Sequence, residues 1–318
     1  MRCLDLFTGG LDSLLSVRLM QEQGIEVVGL HVTNPVCAAN GQSAAARAAD
    51  LGIELRTVEL AEDYCGLLRA PRFGRIDCVA PCLDCRIAMF AQAREQLAEI
   101  EARFVISGEV VGQRPRTAVR DFEVVAHHAG LADLLVRPLS AQLLPPTEPE
   151  IRGWVDRSRL LSIQGKGRKA QLDSARSLGL CEVPPPRPDC PLLAEPLLGR
   201  VRELLADGRL IDPWLVSLLP IGRHVRVDKH TRIIVGRNRE ENDLLVSAAQ
   251  QARAIVCSLA IPRGFAGPTA LIVGPASAAA CAQAKSLIVH HSRPGNSTAE
   301  KVIIQKSTAS QPIVYSKD

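Results

Sequence analysis

The stretch from Leu4 to Ser13 most constrains the fold, because an apolar run meets a double glycine and then a helical pattern. The run Leu4–Phe7 is typical of a buried strand, and the Gly-Gly pair marks a tight turn that leads into an amphipathic segment. Backbone N–H groups at a helix N-terminus bind phosphate oxygens, and glycines let a phosphate approach the chain. The stretch therefore predicts a phosphate site, with an ordinary strand-to-helix turn capped by Asp12 or Ser13 as the alternative.

Strand-like runs and helical patterns alternate over the first 110 residues. The strands are predicted at Arg2–Phe7, Glu26–Val32, Glu54–Glu59 and Phe104–Ser107, and the helices at Asp12–Gln23, Gly41–Leu51 and Pro81–Ala102. This alternation predicts an α/β fold, a doubly wound parallel sheet with helices on both faces. Ligands of such sheets bind at the carboxyl ends of the strands, where the double-glycine turn falls.

A boundary near Gly208 predicts a body of residues 1–208 and a second domain of residues 209–318. Further helices of the body are predicted at Lys166–Leu178 and Leu197–Leu205. Strands of the second domain are predicted at His224–Val227, Thr231–Val235, Ala254–Ala260, Thr269–Val273 and Lys301–Lys306, with helices at Glu241–Ala252 and Ala276–His290. The second domain is therefore expected to be a smaller α+β module.

Charge is unevenly distributed along the chain. Residues 210–318 hold 13 Lys and Arg against 7 Asp and Glu, whereas the first 209 residues hold 25 against 27. A basic C-terminal third favours a polyanionic partner. No apolar run approaches the roughly 18 residues of a membrane span, and no signal-peptide pattern opens the chain. We therefore expect a cytoplasmic protein without a membrane partner, and its oligomeric state stays open.

Cysteine spacing is the second strong feature. Ten cysteines in a cytoplasmic chain indicate metal or sulfur chemistry rather than disulfides. Cys82 and Cys85 form a Cys-x-x-Cys pair at a predicted helix start, Cys78 precedes the pair, and Cys190 follows a proline-rich break. Three chemistries are open: a four-iron cluster on the pair and Cys190, zinc with Cys78 as a further ligand, or a persulfide with a resolving cysteine. The other cysteines are predicted to be core or incidental residues: Cys3, Cys37, Cys65, Cys181, Cys257 and Cys281.

Several motifs follow one another in an order that resembles a known family. Thr8-Gly9-Gly10-Leu11-Asp12-Ser13 resembles the pyrophosphate loop (PP loop) of the ATP pyrophosphatases, with Thr8 in place of the usual Ser. Pro81-Cys82-Leu83-Asp84-Cys85, Ser107–Pro115 and Arg137-Pro138-Leu139-Ser140 follow it. Over residues 1–205, these motifs together resemble the PP-loop tRNA thiouridine synthases, which include the 4-thiouridine and 2-thiouridine enzymes.

The resemblance implies an adenine-nucleotide α-hydrolase-like fold, in which ATP adenylates a uridine carbonyl before sulfur replaces the oxygen. It implies ATP and Mg²⁺, a [4Fe-4S] cluster, and a sulfur donor that is sulfide or a persulfide carrier. The implied catalytic residues are Asp12, Cys82 and Cys190, and the implied cluster ligands are Cys82, Cys85 and Cys190. The implied ATP-binding residues are Thr8, Gly9, Gly10, Asp12, Ser13, Thr33 and Gly108.

Two basic runs are candidate RNA contacts. Gly165–Lys169 is the densest basic run of the body, and its candidate phosphate contacts are Lys166, Arg168 and Lys169. Gly236–Asp243, with the sequence Gly-Arg-Asn-Arg-Glu-Glu-Asn-Asp, resembles the R domain of NFACT proteins, an RNA-associated module. This resemblance makes Arg237 and Arg239 candidates as well. The alternative interpretation is a hairpin-to-helix junction in which Asn and Asp cap the helix.

These features predict an ATP-dependent tRNA sulfurtransferase that forms AMP and pyrophosphate. One alternative is a PP-loop ATP pyrophosphatase or ligase that acts on a small molecule, for which RNA and the Cys-x-x-Cys pair are irrelevant. Another is a non-catalytic, nucleotide-sensing RNA-binding protein, which forms no AMP. The sequence names neither the uridine nor the tRNA, and it leaves open whether Cys78 participates.

Overall fold

The computed structural model describes residues 1–36, 41–180, 182–186, 190–206, 211–252, 255–293 and 297–307. The chain divides into two compact units, Met1–Ala206 (unit 1) and Asp207–Asp318 (unit 2). In the described parts of both units, no helix combines the length and the apolar character that a bilayer crossing requires.

Unit 1 is built on a five-stranded parallel sheet. Its strands are β1 (Arg2–Leu6), β2 (Glu26–Thr33), β3 (Glu54–Glu59), β4 (Val105–Ile106) and β5 (Leu135–Val136). They lie in the order β3-β2-β1-β4-β5, and each neighbouring pair runs parallel. The predicted doubly wound parallel sheet is confirmed. Strand β5 is not among the predicted strands, because two residues are too few to show a period in the sequence.

Eight helices of unit 1 lie within its described residues. They are α1 (Leu11–Gln21), α2 (Gly41–Asp50), α3 (Glu62–Arg69), α4 (Cys82–Gln96), α5 (Val119–His128), α6 (Glu148–Ile151), α7 (Lys169–Ser177) and α8 (Leu197–Ala206). Helix α4 ends six residues before the predicted Ala102, because the chain reverses there and Glu101 takes a left-handed φ of 55°. Helix α7 begins at Lys169 rather than at the predicted Lys166. Gly165, directly before the predicted start, has a left-handed φ of 81°.

Helices cover both faces of the sheet, and β1 contributes to both cores because successive side chains point to opposite faces. One core contains Cys3 and Phe7 with Leu15, Ala44 and Ala175 of α1, α2 and α7. The other core contains Leu4 and Leu6 with Phe90 and Val125 of α4 and α5. Each fully buried Leu or Phe contributes about 1.5–3 kcal/mol.

The chain reverses direction across the sheet between β1 and β4. From β1 it proceeds outward through β2 and β3, then returns by α3 and α4 to β4 on the other side of β1. The loops after β1 and β4 therefore diverge at a topological switch point, which is where open α/β sheets bind their ligands. The PP loop (Thr8–Ser13) and the segment that begins at Ser107 are these two loops.

Unit 2 is a separate α+β fold, as predicted. Its elements are α9 (Pro213–Leu218), β6 (Arg223–Arg226), β7 (Arg232–Val235), α10 (Arg239–Gln251), β8 (Cys257–Pro262), β9 (Ala270–Val273), α11 (Ala278–His290) and β10 (Val302–Ser307). The antiparallel strands lie in the order β10-β8-β9-β7-β6. Strand β8 begins at Cys257, and Ala254 of the predicted strand lies outside the described residues.

Candidate active site

The PP loop carries a left-handed residue that requires glycine. Gly9 has φ +68°, and a Cβ at this position would lie 3.0 Å from the Cα of Ala44. The Gly10 N–H donates to Thr8 Oγ1 at 3.3 Å, and Ser13 Oγ donates to the Gly10 carbonyl at 2.9 Å. Gly10 is the N-cap of α1, and no side chain caps the first turn. The loop thus places the positive end of a helix at the switch point.

Helix α2 holds the PP loop from one side. Arg47 Nη1 donates to the Gly9 carbonyl at 2.7 Å and to Ser43 Oγ at 2.8 Å. A charge-assisted bond to a backbone carbonyl fixes the peptide plane on which the turn depends. No sequence pattern indicates this role, because Arg47 lies 38 residues from Gly9.

The loop after β4 packs directly on the start of α1. A Cβ on Gly108 would lie 2.4 Å from the Asp12 carbonyl carbon and 2.6 Å from the Ser13 nitrogen. Only glycine allows two backbones to approach so closely. Five residues further on, Gln113 Nε2 donates to Asp12 Oδ2 at 2.9 Å. The predicted site residues Gly108 and Asp12 are therefore neighbours.

A third segment, residues 164–171, reaches the same place. The Gly165 N–H donates to the Val111 carbonyl at 2.7 Å. Ser140, which is completely buried, accepts from the Val111 N–H at 3.0 Å and donates to the Ile163 carbonyl at 2.6 Å. The Ser of the Arg-Pro-Leu-Ser motif thus ties the two segments together, and α7 starts beside Asp12.

Asp12 lies in a polar, partly buried environment. Burial raises the pKa of its carboxyl above the usual value, and the Gln113 hydrogen bond and the positive charges of Arg114 and Arg168 oppose this rise. Gln171 is completely buried beside it, and its amide also opposes the rise in this pKa. Neither Gln113, which lies within the Ser107–Pro115 motif, nor Gln171 is a sequence-predicted site residue, since a glutamine by itself indicates no particular chemistry.

His31 and Thr33 stand at the end of β2, next to the PP loop. His31 is buried, and its Nδ1 lies 2.9 Å from the Phe7 carbonyl, which can only accept. The proton is therefore on Nδ1, and the buried Nε2 has no hydrogen-bond partner within the described residues. Thr33 is half-buried, and its hydroxyl donates to the Val58 carbonyl at 3.4 Å.

An ion cluster joins the first turns of α4 to the ends of β4 and β5. Arg86 Nε donates to Glu109 Oε1 at 2.7 Å, and Arg137 Nε donates to Glu109 Oε2 at 2.8 Å. The Arg137 guanidinium lies 4.1 Å from the centre of the Phe122 ring. Burial tends to raise the pKa of Glu109, but the two guanidinium groups outweigh it and hold that pKa below the usual value. The carboxylate therefore stays ionised at neutral pH.

The cysteine pair opens α4 next to this cluster. Cys82 and Cys85 are half-buried on the first turn. Asp84 between them accepts from the backbone N–H groups of Arg72 and Phe73, at 2.8 and 3.1 Å. These bonds fix the preceding loop against the helix start.

Cys78 and Cys190 lie on two other short elements. Cys78 is exposed in a tight turn, where it has φ 61° and Asp77 has φ 50°. Cys190 is half-buried at the N-cap of a short 3-10 turn, Pro191–Leu193.

The three-cysteine ligand set is not assembled within the described residues. No three His, Cys, Asp or Glu side chains there lie close enough together to hold a metal ion. The set of Cys82, Cys85 and Cys190 therefore does not fit the implied cluster. Among the cysteines predicted to be core or incidental, Cys3, Cys65 and Cys257 are buried and Cys281 is half-buried. Cys37 and Cys181 lie outside the described residues.

The RNA candidates of unit 1 border the Asp12 site. Lys166 and Lys169 are exposed, and Lys169 pairs with Asp173 at 3.2 Å. Arg168 is half-buried and donates to the Pro184 carbonyl at 3.2 Å.

The candidates of unit 2 are held by acids on α10. Arg237 Nε donates to both carboxylate oxygens of Glu241, at 2.9 and 3.0 Å. Arg239 lies 3.9 Å from Asp243. Asn238 caps α10 by accepting from the Glu241 N–H at 2.9 Å. Asn238 therefore caps this helix, as the hairpin-to-helix alternative predicts for Asn and Asp.

Comparisons with known proteins give a family match within unit 2. No curated protein matches the chain. Solved structures similar to it include a predicted subunit of a tRNA methyltransferase from Methanocaldococcus jannaschii, at 16% identity and TM-score 0.29, covering 49% of this chain and 74% of that one. Another is an NMN synthetase from Francisella tularensis, at 14% identity and TM-score 0.26, covering 58% and 89%. Residues 222–316 match the family described as the NFACT protein RNA binding domain.

Proposed function

We propose that this chain is an ATP-dependent tRNA sulfurtransferase, which adenylates a uridine carbonyl and replaces its oxygen with sulfur. The observation that carries the proposal is the convergence of three segments on Asp12: the PP loop, the loop after β4 and residues 164–171. Their arrangement suits a nucleotide triphosphate, because it combines a helix N-terminus, a carboxylate and nearby cations.

The PP loop would hold the β- and γ-phosphates that leave as pyrophosphate. N–H groups at the start of α1 and the hydroxyl of Thr8 would be its donors, Ser13 would hold the turn through the Gly10 carbonyl, and Arg114 and Arg168 supply positive charge. Asp12 would hold Mg²⁺, which commonly takes one or two carboxylates and completes its shell with phosphate oxygens and water. When bound there, Mg²⁺ would neutralise phosphate charge, and Asp12 would stay ionised against the effect of burial. Thr33 and Gly108 would border the nucleoside.

In the first step, the uridine carbonyl oxygen attacks the α-phosphorus, an O–P bond forms and pyrophosphate leaves. In the second, a persulfide sulfur on Cys82 or Cys190 attacks the activated carbon, the C–O bond breaks and AMP leaves. A second cysteine thiolate then attacks the Sγ of the cysteine that carried the persulfide, and the S–S bond breaks, so that the outer sulfur stays on the base. This releases the thiouridine and leaves a disulfide, which an external thiol reduces.

The family match of residues 222–316 supports an RNA substrate. The exposed Lys166 and Lys169 beside the Asp12 site are suited to RNA phosphates that approach the nucleotide. Because no three metal-binding side chains come together in the described part of the chain, the cysteines are assigned to persulfide transfer and no step uses a cluster.

Changing Asp12→Asn tests the nucleotide site. We expect tRNA-dependent AMP formation to fall by about 100-fold or more, because the magnesium ligand and its charge are lost together. The protein is incubated with ATP, Mg²⁺, tRNA and a persulfide donor, and the AMP formed is measured by chromatography. Asp50→Asn, an exposed position at the end of α2, is the matched control and should keep wild-type turnover. Unchanged AMP formation in Asp12→Asn would remove the site from the mechanism.

A further inference from the structure

Charge in unit 2 is divided between the two faces of its sheet. Helix α10 packs on one face against Ile234 and Leu259, and α11 packs on the other against Ile233 and Val235. The segment 237–251 with α10 holds two arginines and three acids. The segment 278–293 with α11 holds one lysine, one arginine and two histidines, and no acid. The α11 face is therefore the more positive of the two.

Two arginines and two histidines of this face lie towards the end of α11. Arg223 of β6 pairs with Val235 in the antiparallel ladder, so its side chain points to the α11 face. It lies near His291, whose pKa is lowered by burial first and then by the positive charges of Arg223 and His290. Arg223, His290, His291 and Arg293 are all exposed. The two exposed arginines, with no acid in the α11 segment, favour an anionic partner.

Two carbonyls of the last turn of α11 already have hydrogen-bond donors. The Leu287 carbonyl accepts from the His291 N–H at 3.1 Å, and the Ile288 carbonyl accepts from Ser292 Oγ at 2.6 Å. Carbonyls satisfied in this way contribute less negative potential at the C-terminus. The rings of His290 and His291 lie 4.8 Å apart in an edge-to-face arrangement, and exposed rings can stack on unpaired bases.

Arg237, which precedes α10, is less suited to phosphate. Arg237 makes a forked ion pair with Glu241, and a phosphate would have to compete with that carboxylate. Gly236 has a structural role as well, because a Cβ there would lie 2.2 Å from Asn242 Oδ1, which accepts from the Thr269 N–H.

We propose that RNA phosphates bind unit 2 on the α11 surface, formed by Arg223, His290, His291 and Arg293. This inference rests on the proposed function, in which unit 2 holds the RNA substrate. The proposed contact lies on the face opposite α10, whereas the Gly236–Asp243 motif of the sequence lies at the start of α10.

The test measures binding of a fluorescent tRNA transcript to the full chain over a range of salt concentrations. Arg223→Glu and Arg293→Glu are each expected to weaken binding about tenfold at 0.1 M salt. Each should also reduce the slope of log K against log salt by about 0.7–0.9, the value for one lost phosphate contact. Lys229→Glu makes the same charge change at the exposed turn beyond the far end of β6 and should bind like wild type.

The outcomes separate this inference from the function on which it rests. Wild-type affinity and slope in both α11-surface variants would overturn it. Arg239→Glu is measured alongside them, and a loss of tRNA affinity in that variant alone would overturn the inference as well. Equal weakening by Lys229→Glu would also overturn it, because the effect would then be one of net charge. A wild-type chain that binds no tRNA would overturn the proposed RNA substrate itself. Far-UV circular dichroism confirms that each variant is folded.

Discussion

Replacing Glu109 by Gln is expected to lower the free energy of unfolding of unit 1 by about 3–5 kcal/mol. The carboxylate is the shared partner of Arg86 and Arg137, and Arg137 is only 6% exposed. Glutamine keeps the shape and one acceptor oxygen but removes the charge, so two guanidinium groups stay largely buried without compensation. This cost exceeds what a surface ion pair contributes.

Urea unfolding measures this change. Trp154 fluorescence reports on unit 1 when both proteins carry Trp214→Phe, since the chain has only two tryptophans. The control is Glu148→Gln, which breaks an exposed i,i+4 pair with Arg152 and should leave the midpoint within error. Equal midpoints for Glu109→Gln and its parent would refute the role of the cluster.

The contribution of Glu109 to the free energy of unfolding depends on pH. The folded-state pKa of Glu109 is below its usual value, so its contribution is complete above the unfolded pKa, about 4.5. It is lost as the pH falls through the folded-state pKa. The difference in stability between parent and Glu109→Gln should therefore be full near pH 7 and shrink below about pH 4.5.

Changing Gly108→Ala is expected to reduce AMP formation by about 100-fold, with a loss of about 1–3 kcal/mol in stability. The new Cβ would lie 2.4–2.6 Å from backbone atoms of Asp12 and Ser13. Backbone cannot rotate away as a side chain can, so the loop after β4 and the PP loop must separate. A displacement of about 1 Å is enough to misplace a bound nucleotide.

Gly66→Ala is the matched control for this substitution. Gly66 lies in α3, and a Cβ there meets nothing within 4 Å. Alanine should stabilise this helix by about 0.5–1 kcal/mol and leave turnover unchanged. Wild-type AMP formation by Gly108→Ala would mean that the close approach of the two loops does not position the nucleotide.

The fold was largely predictable because its signals are local. The double glycine of the PP loop marks a turn that only glycine can make, and the alternation of periods over the first 110 residues defines a parallel sheet. The ends of elements are harder to predict: α4 ends at Gln96, and Glu101 in the turn that follows takes a left-handed φ that no sequence period announces. Strand β5 has two residues and no period to detect.

The site was only partly predictable because its contacts join distant residues. Asp12 meets Gln113 across 101 residues, and Ser140 joins the loop after β4 to residues near Ile163. No spacing rule connects such pairs in a single sequence. The motif residues Gly108, Arg137 and Ser140 were found as members of motifs, and the structure supplies the physical reason for each.

For the cysteine motif, spacing predicts more than the described residues bring together. Its spacing predicts a ligand set, yet the described residues do not bring three such side chains together. Spacing fixes Cys82 and Cys85 on one helical turn, whereas the position of Cys190 depends on the path of a long connection. For this reason the sulfur chemistry must be decided by the reaction products.

The coupling of adenylation to sulfur transfer tests the central claim most directly. An unmodified tRNA transcript is incubated with the protein, ATP, Mg²⁺ and a persulfide donor, and AMP and thiouridine are quantified by chromatography and mass spectrometry. We predict that the two products form in equal amounts and that both disappear when ATP is omitted. AMP formed without thiouridine, or thiouridine formed at full rate without ATP, would contradict the account.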